Sequence, residues 1–313
     1  FSEEGVQEVS NGSFSQEGSE LVTNGDFATD SDWVKGNGIT IDGGKANFIN
    51  STGDLRQDPV VENGKYYKVT YTISNYVSGS VRFEIPSNIG SGIERSANGT
   101  YTEILLSSGT AIQFDGRTAF TGSIDNVSVR EVGQDWTLET GWSIGEDKAI
   151  SDGSGSIPNT DLIQSNVFTS GKSYKVTLEI KDYVSGNLQL QNNTTNFPQS
   201  NGIHTIYSST GSTSLILRSL SFIGSITNIS VKEVGMDWDL GTGFSIGNNK
   251  AILTNGTDST YQIFQGISGL NTKRLKVTFD ILNFSGSAEI RYPLRHNITA
   301  NGSYSFEGIG DFD

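Results

Sequence analysis

Sugar recognition needs an aromatic ring to lie on a pyranose face and polar side chains to meet the hydroxyls. The chain offers Tyr66 for the first task and Arg82 with Glu84, on the following strand, for the second. Acid–base chemistry has less to work with. The 2 histidines, His204 and His296, fall at unlike places in the repeats described below and sit in no catalytic motif. Among the 35 Asp and Glu residues no pair recurs outside an Asp-Trp turn, so a two-carboxylate glycosidase arrangement is not evident. The absence of Cys excludes disulfides, thiolate metal sites and cysteine catalysis. With 21 Lys and Arg against those 35 acids, the net charge is -14. Such a chain lacks the basic footprint that nucleic acid requires. No run approaches 18 apolar residues, so no membrane-spanning helix is expected. The expectation is a non-enzymatic chain with no required cofactor.

The elements that would position these residues come in long repeats. Residues 32–46 read DWVKGNGITIDGGKA, residues 135–149 DWTLETGWSIGEDKA and residues 237–251 DWDLGTGFSIGNNKA. Trp33, Trp136 and Trp238 are therefore equivalent. A second block follows each: GKYYKVTYTISNYVSGSVRFEI from Gly64, GKSYKVTLEIKDYVSGNLQLQ from Gly171, and a third copy through Arg274–Ile281. A closing block reads GSIDNVSVREVG from Gly122 and GSITNISVKEVG from Gly224. The third copy has no closing block, so its strand must come from further chain or from a neighbour.

Tyr67, Val69, Tyr71 and Ile73 alternate with Tyr66, Lys68, Thr70 and Thr72, the pattern of a half-buried strand. Many short strands with Gly-rich turns and about 100 residues per unit predict an all-β chain of tandem jelly-roll β-sandwiches. Three stacked units are expected, at 20–132, 133–234 and 235–313, the last truncated. The tryptophans read either as packing anchors at fixed joins or as sugar-stacking platforms. Phe120 and Trp142 are loop aromatics that offer an apical site, although Ile39 and Phe244 at the Trp142 position favour a buried slot. Tyr66 itself reads either as a sugar contact or as a packing residue, since Ser173 and Arg274 replace it. Phe1, Phe14 and Phe27 recur every 13 residues with Asn-Gly turns between. Residues 1–19 are expected to be a short β-repeat shaft, or else an extended linker running into the first strand.

The segments LVTNGDF, GKYYKVTYTISNY and GSIDNVSV resemble carbohydrate-binding-module-like, galactose-binding-type jelly rolls. The tandem form, with VKEVG running straight into DW, is similar to repeats in structural proteins of tailed bacteriophages. The resemblance implies a virion appendage such as a tail fibre, at the virion surface or otherwise extracellular. It implies self-association into a homo-oligomer, contact with other virion proteins and with host surface glycan, and no membrane insertion. The alternative is a bacterial cell-surface or secreted polysaccharide-binding or adhesin module. Sandwiches of this type often hold a structural Ca²⁺ between first and last strands. Here that would involve Asp26 and Asp125, in sandwich 1 only, because Thr227 replaces Asp125 in copy two.

Overall fold

The computed structural model describes all residues except 87–89, 157–159, 210, 242, 255–260, 271, 292–294 and 310–313. Among the described residues there are many strands, one 3-10 turn at Gln191–Asn193 and no α-helix. The all-β reading stands, and each complete copy is a β-sandwich.

Alternation builds the central ribbon of sandwich 1. In the strand Tyr66–Ile85, the residues Tyr67, Val69, Tyr71 and Ile73 are buried, as are Val81, Phe83 and Ile85. This strand runs antiparallel to Ile112–Val132, from Tyr66 opposite Val132 to Glu84 opposite Gln113. A straight strand would hold Tyr71 and Phe83 about 40 Å apart, at roughly 3.3 Å per residue. Their ring centroids lie 6.2 Å apart. The ribbon therefore folds over on itself, and its two halves become facing layers. The bend falls where the register slips, between Ser74 and Ser80. Left-handed Asn75 and Gly79 on one strand and Thr118 and Ala119 on the other absorb it, as bulges do. Gly79 cannot carry a side chain there, since a Cβ would lie 2.6 Å from the Thr118 carbonyl.

Sandwich 2 repeats this plan with Ser173–Leu190 against Leu215–Val234, Leu190 standing opposite Leu217. Gly99–Leu106 and Gly202–Ser209 pair along the first halves of the two ribbons. Asp54–Gln57 and Asp161–Gln164 pair with the opposite halves. One apolar cluster fills each sandwich, with Tyr71, Phe83, Phe114 and Phe120 in the first and Trp142, Leu188, Leu217 and Phe222 in the second.

Residues 1–19 do not form the separate shaft expected from their 13-residue spacing. The two 13-residue segments are straps, and each completes a different sandwich. Strap 1 lies on sandwich 2: Glu4–Gln7 pairs with its last strand at Val234 and Lys232, and Val9 and Phe14 are buried in its core. Strap 2 lies on sandwich 1: Glu17 bridges Val132, and Val22 and Phe27 are buried there. The physical reason is burial. A segment this short has no core of its own, whereas each sandwich has a place for one apolar ring beside its tryptophan. Copy two is therefore served by an N-G-x-F segment, Asn11 to Phe14, drawn from a part of the chain that precedes sandwich 1.

Sandwiches 1 and 2 belong to one compact unit, Phe1–Met236 together with Ser245–Leu253. At their join Gly133 takes φ 74, and a Cβ there would meet Ile144 Cγ1 at 2.8 Å. Tyr66 and Ile104 of sandwich 1 pack against the core of sandwich 2. The other unit, Asp237–Phe244 with Thr254–Asp313, carries the third copy. In it Arg274–Ile281 pairs with Gly302–Ile309, and Ala288–Ile290 with His296–Ile298. Leu275, Val277, Phe279 and Ile281 keep the alternation but are only partly buried, where their counterparts in sandwich 1 are fully so. Among the described residues no strand covers that face as the closing strands do in copies one and two.

Candidate functional site

Two sites emerge, a polar platform on sandwich 1 and the strap seats. The platform follows from alternation. Val81, Phe83 and Ile85 point inward, so Arg82 and Glu84 occupy the outer face. Register then places Arg82 opposite Asp115 and Glu84 opposite Gln113, with Asp54 on the far side of Asp115. Arg82 is ion-paired to Glu84. Glu84 also holds Arg117 at 3.3 Å and accepts a hydrogen bond from Gln113 Nε2 at 3.2 Å. Arg117 reaches Asp115 at 2.8 Å. Burial, then the neighbouring charge of Asp115, raises the Asp54 carboxyl above the usual range. Charges held this way largely neutralise one another. The Nε atoms of Arg82 and Arg117 are buried without a hydrogen bond in the chain, and that of Arg117 lies 3.7 Å from a Glu94 carboxylate oxygen. Sandwich 2 does not repeat the platform: Arg218 is bound by both oxygens of Asp161 at 2.7 Å, and Gln189 bonds Asn196.

Tyr66 is not part of this platform. Its hydroxyl donates to the Trp142 carbonyl at 3.1 Å, across the join to sandwich 2. Burial, and secondarily the charge of Asp152, raises its phenol. The ring is a packing residue, because the next sandwich covers the face that a sugar would need. Phe120, offered as an apical loop aromatic, is wholly buried, and Trp142, 4% exposed, fills the buried slot that Ile39 and Phe244 at its position favoured.

Trp33 and Trp136 resolve toward packing. Trp33 stacks at a tilt on Phe27, centroids 5.3 Å apart, and its Nε1 donates to the Asn24 carbonyl at 3.1 Å. Trp136 does the same with Phe14 at 5.2 Å and the Asn11 carbonyl at 3.2 Å. Around each pair the seat is built alike. The Gln57 side-chain amide accepts from Thr23 N and donates to Thr23 O. Gln164 does so with Ser10, both bonds 2.9 Å. Both amides are buried, and each stands in for a strand by satisfying one residue's backbone. Val127 N donates to Gly25 O at 2.8 Å and Ile229 N to Gly12 O at 2.9 Å. A Cβ on Gly12 or Gly25 would sit 2.1 Å from the Ile229 or Val127 carbonyl. Glu20 accepts from Val129 N as Gln7 accepts from Val231 N. Glu17 pairs with Lys68, while Glu4 lies between Lys175 and Lys232 at 2.6 and 3.1 Å, which lowers its carboxyl. The residues missed from sequence are Val9, Phe14, Gln57 and Gln164. The matched spacing of Val-x-Asn-Gly-x-Phe was the one signal, and only for Val9 and Phe14.

The calcium expectation finds no ready donor set. Asp26 accepts from Ala28 N within its own turn, Asp125 from Asn126 N, and Asp30 is ion-paired to Lys35. No group of three or more His, Asp or Glu side chains among the described residues suits a metal. Six to eight oxygens would have to come mostly from carbonyls and water. Thr227, the counterpart of Asp125, instead reaches the Ser13 carbonyl of strap 1 at 3.2 Å. His204 Nε2 meets the Ser200 carbonyl, and His296 stacks on Phe306, so neither joins a catalytic group.

No protein-family model matches the chain, and no curated protein matches it. Among solved structures it is similar to the N-terminal CBM22-1-CBM22-2 tandem domain of Paenibacillus barcinonensis Xyn10C, with 10% identity over 70% of this chain and 99% of that one, at a TM-score of 0.30. It is also similar to a Paenibacillus xanthan lyase, with 18% identity over 66% of this chain and 25% of that one, at a TM-score of 0.22. The class that the strand arrangement itself defines is a tandem β-sandwich protein.

Proposed function

We propose that the chain is a non-enzymatic structural segment of a bacteriophage virion appendage, a tail fibre or spike, exposed at the virion surface. The observation that carries this reading is the fusion of sandwiches 1 and 2. Two consecutive straps, one seated on each sandwich, and a join sealed by Tyr66 leave no flexible linker between them, as a stiff rod requires. The tandem Trp repeats and their resemblance to phage structural repeats support the setting. Partners are then neighbouring virion proteins and further copies of the chain. Immunogold labelling of phage particles with antibody to this chain tests it. Decoration of appendages is expected; labelling confined to bacterial cell surfaces would overturn it in favour of an adhesin.

A host-glycan contact is the second reading, favoured by the cluster of Arg82, Glu84, Asp115 and Arg117 on the outer face of sandwich 1. Glycan-array binding by the full chain is expected to fall with Arg82→Ala and to survive Tyr66→Phe. Binding that ignores Arg82 would remove the platform from consideration.

A further inference from the structure

Strap 1 makes its contacts at sequence separations as large as 230, from Glu4 to Val234. Its downstream covalent link to that seat runs through strap 2 and the whole of sandwich 1. Strap 2, by contrast, is tied directly to its own sandwich, with Phe27 only six positions before Trp33. The seat on sandwich 2 is a defined receptor. Trp136 meets a ring, the Gln164 amide brackets one residue, and the Ile229 amide meets the carbonyl of a glycine at a place no side chain fits. Lys175 and Lys232 receive a carboxylate at the far end. Everything this receptor reads lies within residues 4–14. Every copy of the chain carries the same ligand.

We propose that the sandwich 2 seat accepts strap 1 from a second copy of this chain, so that copies join by strand exchange. The inference goes beyond the appendage reading and does not depend on glycan binding. No new interface chemistry is needed, because the exchanged contacts are those already made within one copy, the low-cost route to association. Within one copy the tethered strap competes at an effective concentration of order millimolar. Exchange is therefore favoured when copies fold together at high local concentration, and each exchanged strap leaves another seat to fill.

The chain has no cysteine, which permits a clean covalent test. Gln7 and Lys232 face each other across the strap pairing, a spacing of roughly 4.5–5.5 Å between Cα atoms that a disulfide spans. The Gln7→Cys chain and the Lys232→Cys chain are refolded together and oxidised. The expected product is a disulfide-linked heterodimer, its ratio to monomer rising about two-fold for each doubling of concentration. Adding Gly12→Ala to the Gln7→Cys chain is expected to abolish it. The double variant, carrying both cysteines in one chain, is expected to close internally in dilute solution. Closure of the double variant with no heterodimer in the mixture overturns strand exchange. Failure of the double variant to close overturns the strap seat itself. Heterodimer that persists with Gly12→Ala also overturns the proposal, since it would then arise by unspecific collision. Immunogold results bear on the appendage reading separately.

Discussion

Phe14→Ala separates a strap that completes a core from one that lies on a surface. Phe14 is 1% exposed and its ring sits 5.2 Å from Trp136. Truncating a buried Phe costs about 3–5 kcal/mol, and loss of the ring pair accounts for about 0.5–1.5 of that. A surface substitution stays within about 0.5 kcal/mol. The chain has more than one folding unit, so a single unfolding midpoint is a poor readout. Hydrogen exchange reads the seat directly. Ile229 N donates to Gly12 O and Val231 N to Gln7 Oε1, both within reach of one short peptide. At about 1.4 kcal/mol per factor of ten, their protection is expected to fall roughly a hundred-fold or more. Val127 and Val129, which hold strap 2, are expected to keep theirs. The fall stops at the strap's own docking energy if the segment leaves altogether, and Gly12→Ala added to Phe14→Ala then changes nothing further. A fall of less than ten-fold at Ile229 and Val231 would refute the reasoning, as would an equal fall at Val127 and Val129.

Acid is expected to loosen strap 1. The lowered Glu4 carboxyl contributes stability above its unfolded value of about 4.3, and that contribution is lost as pH falls through the lower folded value. Both lysine partners are about a third exposed, so the effect is under about 1 kcal/mol; Glu4→Gln is expected to remove the acid-dependent change in Trp136 fluorescence, and an unchanged titration would count against it. Tyr66→Phe strands the Trp142 carbonyl at the join and is expected to cost about 1 kcal/mol, seen as faster proteolysis near Gly133; unaltered cleavage would mean that ring packing alone seals the join. Gly186→Ala places a Cβ 1.9 Å from the Ser221 carbonyl at φ 78, whereas Gly171→Ala meets nothing within 4 Å at φ 81. Both carry backbone strain of about 1–2 kcal/mol, so denaturant unfolding of sandwich 2 is expected to fall well beyond that for Gly186→Ala alone, and equal losses would contradict the bend.

The sandwich plan was legible because alternation is local. Tyr67 to Ile73 announce a buried face within seven residues, and their recurrence at Tyr174 and Leu275 announces the repeat. Arg82 and Glu84 were placed on the correct face for the same reason. What alternation does not show is a partner's position. Tyr66 looked outward because its own sheet ends there, and only the neighbouring sandwich turns that face into a join. The straps were hidden more deeply. Phe14 has no apolar neighbours in sequence to mark it as core, and its ring partner lies 122 positions away at Trp136. The equal spacing of Phe1, Phe14 and Phe27 suggested a self-contained period, while the period is that of two receptors to which the segments are matched. Trp33 and Trp136, read first as packing anchors and second as sugar platforms, proved to be anchors whose indole donors end on strap carbonyls.

The order of the straps has a consequence for biosynthesis. Strap 1 is made before either sandwich, yet Ile229 and Val231, which close its seat, are made more than 200 residues later. At about 5–20 residues per second, the nascent segment waits roughly 10–45 s for a home. Meanwhile the equivalent pocket on sandwich 1 is finished first and recognises nearly the same ligand. A ribosome-bound chain must therefore keep the earlier ligand from the earlier pocket. Strap 2, tethered beside that pocket at Trp33, holds the kinetic advantage that sorts the two.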